Sequence, residues 1–320
     1  MSPYEMVGVD IAKDKFDSSL NIDNCYKHAV FSNTSQGHKE FLKYLNEYTV
    51  SPWVCMEATG HYSEELADFL VRKGIRVSVI NPFQIKNFAR ASLARNKNDK
   101  IDAKLIAQFG QRMEPRTYQP SPEEQKEIKE LTKVLDMLKV QLIQLTNQLH
   151  SIRGTAAKNS LKKMIQKLEQ EIGRIQKQID ELINNNQQLK EKLELLMSIK
   201  GIGKLSAYYI LARMPDIHSF QTAKQFAAYI GITPKQHQSG AFTGKTTISR
   251  LGDSRLRKAL YMAALVAKRY NKALHSFVHR LQIKGKTPKT IVCAVMRKLA
   301  HIIFGVLKNN IPFNENLPCF

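Results

Sequence analysis

Apolar positions in the first third of the chain fall in short runs and two-residue alternations, separated by stretches with a period near 3.6. Met6–Ile11 (MVGVDI), Phe16–Ile22, His28–Asn33, Trp53–Ala58 (WVCMEA) and Arg76–Ile80 (RVSVI) predict five strands. Gln36–Tyr48, His61–Lys73 and two stretches opening at Pro82 and Asn98 predict helices. Three close strands followed by alternating helix and strand imply an α/β domain over residues 1–115 with a mixed five-stranded sheet.

After Pro115, Pro120 and Pro122 the pattern changes. Leu131, Leu135, Leu138, Leu142, Leu145, Leu149 and Ile152 alternate in steps of four and three, the seam of a coiled coil. A second series runs Leu161, Ile165, Leu168, Ile172, Ile175, Ile179, Leu182, then Leu189, Leu193 and Leu196, with Asn186 at an expected apolar position. The registers do not join across Gly154. Residues 116–198 therefore read as a helix, a turn near 153–160 and a returning helix, an antiparallel hairpin or a dimerising arm that makes the chain a homo-oligomer. Asn186 reads as a polar residue that fixes register or partner number.

From 199 to 320 the pattern is helical. Leu260, Ala263, Ala264 and Ala267 mark one face of a helix that Asp253 or Ser254 caps, and Thr287-Pro288 opens another bearing Ile291, Val292, Val295, Leu299, Ile302, Ile303 and Val306. Between Gly231 and Gly252 lies a loop or short hairpin rich in Gly, Thr, Ser and Lys.

Charge changes this picture. The 320 residues carry 49 Lys and Arg against 28 Asp and Glu, a formal +21. Residues 1–112 hold +2 of it, 113–200 hold +3 and 201–320 hold +16. So concentrated a surplus calls for a polyanion, and nucleic acid is the leading partner. No uninterrupted apolar stretch is long enough for a bilayer, and the N-terminus lacks a secretory pattern. Four scattered cysteines (Cys25, Cys55, Cys293, Cys319) form no C-x-x-C pair, which suits a reducing cytoplasm.

Three constellations carry candidate chemistry. Asp10 and Glu57 stand in or at the ends of apolar strands, where a carboxylate is costly without a positive partner, and Asp99 and Asp102 share one face at a helix start. Four such carboxylates select a hard divalent ion, Mg²⁺ or Mn²⁺, and pairs of such ions serve phosphoryl transfer; the alternative for Asp99 and Asp102 is a helix-capping role. Gly201, Gly203 and Lys204 in I-K-G-I-G-K form a helix-hairpin-helix pattern that offers backbone N–H groups to a phosphate, or a plain helical connection. Ser239, in P-K-Q-H-Q-S-G, lies among Lys245, Arg250, Arg255 and Arg257, either as a nucleophile amid phosphate-holding cations or as a solvated serine in a basic loop.

The ordered set V-G-V-D-I-A-K, M-E-A-T-G-H-Y, N-D-K-I-D-A, a coiled-coil middle, G-I-G-K and Q-S-G resembles the DEDD transposases of the Piv/MooV type, insertion-sequence enzymes also called bridge recombinases, from about residue 5 to 310. The resemblance implies an RNase H-like (RuvC-like) domain in which Asp10, Glu57, Asp99 and Asp102 bind two Mg²⁺ ions. It implies a C-terminal transposase domain whose Ser239 joins covalently to DNA, and a structured non-coding guide RNA that pairs donor and target DNA. A junction-resolving endonuclease using only the four carboxylates and water is the competing enzyme, and a non-catalytic architectural protein the competing binder.

Overall fold

A strand buried on both faces needs an almost unbroken apolar run, and β1 (Glu5–Ile11) has one in Met6, Val7, Val9 and Ile11. The computed structural model describes residues 4–23, 25–93, 98–236, 238–239, 242–244 and 246–315. The chain divides into two compact units, 1–120 and 121–320.

In the first unit β1 lies at the centre of a five-stranded sheet with β2 (Lys15–Ile22), β3 (Cys25–Ser32), β4 (Pro52–Glu57) and β5 (Arg76–Ile80), in the order β3-β2-β1-β4-β5. The β1–β2 and β2–β3 pairs are antiparallel, and β1–β4 and β4–β5 are parallel. The sheet is thus mixed, because two short connections join the first three strands while α1 (Ser35–Tyr48) and α2 (His61–Arg72) carry the chain into β4 and β5. Two more helices follow, α3 (Pro82–Ala91) and α4 (Asp99–Met113). α4 lies directly on β1 because residue 8 is glycine: a Cβ there would collide with the backbone of Ala103 and Ala107. Gly110 likewise meets the side chain of Cys55 on β4. These close approaches set the start of α4 relative to the sheet.

The second unit is helical: α5 (Glu123–Ser151), α6 (Thr155–Asn184), α7 (Gln187–Met197), α8 (Lys204–Arg213), α9 (Ala223–Ile230), α10 (Ser254–Tyr270), α11 (His275–Ile283) and α12 (Pro288–Asn309). α5 and α6 form the hairpin, with a turn confined to Ile152–Gly154, shorter than the spacing of the two registers implies. Ile128, Leu135 and Leu138 of α5 and Ile175, Ile179 and Ile183 of α6 belong to the same core as Leu196, Ile210, Leu260, Leu299 and Ile303. The hairpin's inner half is therefore continuous with the C-terminal helices.

Asn186 does not occupy a heptad position. Helix α6 has already ended, and the Asn186 side chain caps α7 by accepting from Leu189 N at 3.2 Å, while its amide donates to Glu124 Oε1. The apolar spacing continues across a break in the helix, so the sequence pattern alone does not mark the break. α12 is long and apolar enough to cross a membrane by length and composition, but Ile291, Val292, Val295, Leu299 and Ile303 are buried in the core of this unit. Cys25, Cys55 and Cys293 are free thiols; Cys319 lies outside the described residues.

Candidate active site

The parallel register that pairs Val9 with Met56 brings Asp10 and Glu57, one residue further on each strand, to neighbouring strand ends. Asp99 and Asp102 open α4, whose first turn Asn98 caps by accepting from Ile101 N at 2.8 Å. The Gly8 contact holds that helix against β1. Burial, then the negative fields of Asp102, Asp99 and Glu57, raise the Asp10 pKa from 3.8 to about 6. The other three carboxylates named from the sequence thus all act on Asp10.

Two further residues join them. Asp17 on β2 sits opposite Asp10 in the antiparallel register and is only 5% exposed. Its Oδ1 is 2.8 Å from His28 Nε2, and its Oδ2 accepts from Lys15 Nζ at 3.1 Å. Lys15 Nζ also donates to Asp99 Oδ2 at 2.9 Å, which holds the Asp99 carboxyl below its ordinary range and raises the lysine. Asp17 is an acid inside an apolar strand, the same signal that marked Asp10, and FDSSL carried it in plain view.

The donor chemistry fits a hard divalent cation: the set is carboxylate oxygen throughout, and mutual repulsion at Asp10 is what such an ion relieves. Among the described residues, no three His, Cys, Asp or Glu side chains form a group that grips a metal as they stand. Lys15, bridging Asp17 and Asp99, supplies part of the neutralising charge.

Ser239 is exposed on β7 (Gln238–Ser239), which pairs with β8 (Phe242–Thr243). A second pair, β6 (Pro234–Lys235) and β9 (Thr247–Ile248), lies nearer the ends of the same loop. Arg257 Nη1 donates to the carbonyls of Ile230 and Gly252, both at 3.0 Å, and so clamps the neck of this loop. Arg250 adopts a left-handed backbone there (φ 57°), with its N–H on Gly231 O. Arg255 Nε stands 3.6 Å from Asp136 Oδ2, in a network where Lys258 also reaches Asp136 and Tyr209 O–H donates to it at 2.8 Å. His237, Gly240 and Lys245 lie outside the described residues.

The G-I-G-K segment joins α7 to α8. Gly201 has φ 108°, and a Cβ on it would collide with Ala267 of α10, while Asn271 Nδ2 donates to Lys200 O at 3.1 Å. Gly201 thus meets a packing demand within this unit, Gly203 is the N-cap of α8, and Lys204 Nζ pairs with Asp180 Oδ2 at 2.7 Å.

Residues 7–152 match the family model of the IS110 DEDD transposases, and residues 193–279 match that of the transposase IS116/IS110/IS902 family. The chain is similar to the pilin gene-inverting proteins of Moraxella bovis and Moraxella lacunata. Each is 34% identical over 317 residues, which span 97% of this chain and 98% of the relative. It is also 25% identical over 348 residues to the transposase for insertion sequence element IS1328 of Yersinia enterocolitica, covering 98% and 100% of the two chains.

Proposed function

We propose, for a chain that belongs to the IS110/IS116 family of DEDD transposases and is therefore an insertion-sequence enzyme acting on DNA, a specific division of chemistry between its two units. The carboxylates of Asp10, Glu57, Asp99 and Asp102 hold divalent metal, with Mg²⁺ or Mn²⁺ favoured by their oxygen-only chemistry. Bound there, a pair of such ions neutralises the developing charge of phosphoryl transfer. The observation that carries this reading is the convergence of Glu57, Asp99 and Asp102 on the partly buried Asp10, whose pKa is raised to about 6 by burial and then by their negative fields. The strand order, three antiparallel strands extended by two parallel ones, supports an RNase H-like domain around them.

Ser239 is the nucleophile. Its oxygen forms a new bond to phosphorus as the phosphodiester's bond to one deoxyribose oxygen breaks. The serine proton leaves to solvent or a neighbouring base, and the departing oxygen takes up a proton. Attack by a strand-end hydroxyl on the phosphoserine reverses the exchange and restores the serine. An exposed serine hydroxyl on a two-residue strand is open to a phosphodiester, and the gene-inverting relatives support cutting followed by rejoining. A structured non-coding RNA as guide follows from the family reading. Self-association through α5 is supported by its exposed apolar Val134, Met137, Val140 and Ile143.

The test is to trap the protein on a cognate DNA junction with Mg²⁺ and map the attached residue. Attachment at Ser239 is expected, with no adduct from Ser239→Ala. Asp10→Asn and Glu57→Gln should each lower strand exchange by at least about 100-fold, nearly 3 kcal/mol of barrier. Strand exchange retained by Ser239→Ala would remove the serine from the mechanism, and cleavage without an adduct would favour a hydrolytic junction nuclease.

A further inference from the structure

Between Met137 and Leu168 the chain holds six Lys and Arg and no Asp or Glu. The eleven acidic residues of 121–200 all lie in the inner parts of the hairpin and in α7. There several cations are paired locally: Lys126 with Glu123, Lys133 with Glu130, Arg174 with Glu171, Lys177 with Glu181 and Lys204 with Asp180. In the outer half Lys139 lies in the field of Asp136. Among the described residues, no ion pair reaches Arg153, Lys158, Lys162, Lys163 or Lys167. Lys162, Lys163 and Lys167 are exposed and Lys158 is half-buried.

On α6, residues four apart are neighbours, so Lys158 lies beside Lys162 and Lys163 beside Lys167. Like charges at that spacing weaken a helix, so the row is unfavourable unless a polyanion meets it. Within α6, from Lys158 to Lys167, these lysines span about 14 Å, using the 1.5 Å rise per residue of an α-helix. We propose that the basic outer end of α6, with Lys158 and Lys162 along one stripe and Lys163 and Lys167 along another, grips the phosphate backbone of duplex DNA outside the reacting phosphodiester, an inference that rests on the reading of the chain as a DNA transposase. No Phe, Tyr or Trp occurs between 137 and 168, so the arm has no platform on which to stack unpaired bases, and its contact is with backbone. A second copy of the arm is a poor occupant of the same stretch, since two sets of cations would meet with no acid between them. The uncharged outer part of α5, where Val140 and Ile143 are exposed, leaves self-association a separate surface.

The experiment compares the full-length protein with a Lys158→Gln, Lys162→Gln, Lys163→Gln, Lys167→Gln variant and with the same four positions changed to Arg. Binding to a non-cognate 30-base-pair DNA duplex is followed by anisotropy from 50 to 300 mM salt, with mass by light scattering. Each phosphate contact contributes about 0.9 to the slope of log affinity against log salt. The Gln variant should show a slope smaller by about 2 to 3.5, at least tenfold weaker binding at 100 mM salt and an unchanged mass. The Arg variant should match the wild type. An unchanged slope, an equal loss in the Arg variant, a changed mass, or a loss seen only with duplex RNA overturns the proposal while leaving the transposase reading intact. Failure of the wild type to bind duplex DNA overturns the transposase reading itself.

Discussion

His38 of α1 is 5% exposed, and its Nε2–H donates to Asn33 Oδ1 at 2.9 Å. Burial lowers its pKa below the ordinary 6.5, against the opposing pull of Glu65. The folded protein therefore binds fewer protons here than the unfolded chain once the pH drops below about 6.5, and unfolding becomes easier. This contribution is fully present above pH 6.5 and lost on acidification. Urea unfolding of wild type and His38→Gln at pH 7.5 and 5.5 should show a smaller acid loss in the variant; equal losses would refute the assignment. Legibility at this scale followed cost. Asp10 and Glu57 stood out because a carboxylate in an apolar strand needs a reason, and their strands register side by side. Asp17 meets the same criterion, but its serine neighbours give the run a polar pattern in the sequence, although Ser18 and Ser19 are buried. Lys15 carried no signal, since only the fold brings it to Asp99, 84 residues away.

Elements were legible where local chemistry decided them. Asp253 accepts from both Arg255 N and Leu256 N at 2.8 Å to start α10, and Thr287 caps α12 ahead of Pro288, as the sequence announced. Asp253→Ala should cost about 1 to 2 kcal/mol by chemical denaturation, the range of a lost N-cap. The α6–α7 break was not legible, because the apolar spacing runs on through Asn186 while the backbone turns. Glycine carries information of another kind. Gly8 in VGVDI has no local backbone need for glycine; it is required because α4 lies on it. Gly8→Ala should lift α4 from β1 at an overpacking cost of about 1 to 3 kcal/mol. Because α4 also carries Asp99 and Asp102, strand exchange should fall further than stability at a temperature where the variant stays folded. A variant with full activity would show that α4 tolerates displacement.

At the scale of the molecule, each hydrophobic cluster lies wholly within one unit: two in residues 1–120 and one in 121–320. Charge divides with the cores. The first unit carries 16 Lys and Arg against 14 Asp and Glu, and the second 33 against 14, so the second holds +19 of the total +21. A ligand that binds a folded unit and not its unfolded chain stabilises it by about 2.7 kcal/mol at one hundred times its dissociation constant. Duplex DNA at low salt should therefore raise the unfolding midpoint of the second unit far more than that of the first. The single Trp53, in the first core, gives that unit its own fluorescence report, while helical circular dichroism is dominated by the second. Adding a 30-base-pair duplex should move the circular dichroism transition upward by several degrees in 50 mM salt, and much less in 500 mM, with the Trp53 transition changed little. Equal shifts in both signals at both salt concentrations would mean that DNA binding does not follow the charge. Mg²⁺ without DNA should act in the opposite sense across the units: relieving repulsion at Asp10 stabilises the first core, so the Trp53 transition should rise, and Asp10→Asn should diminish that rise.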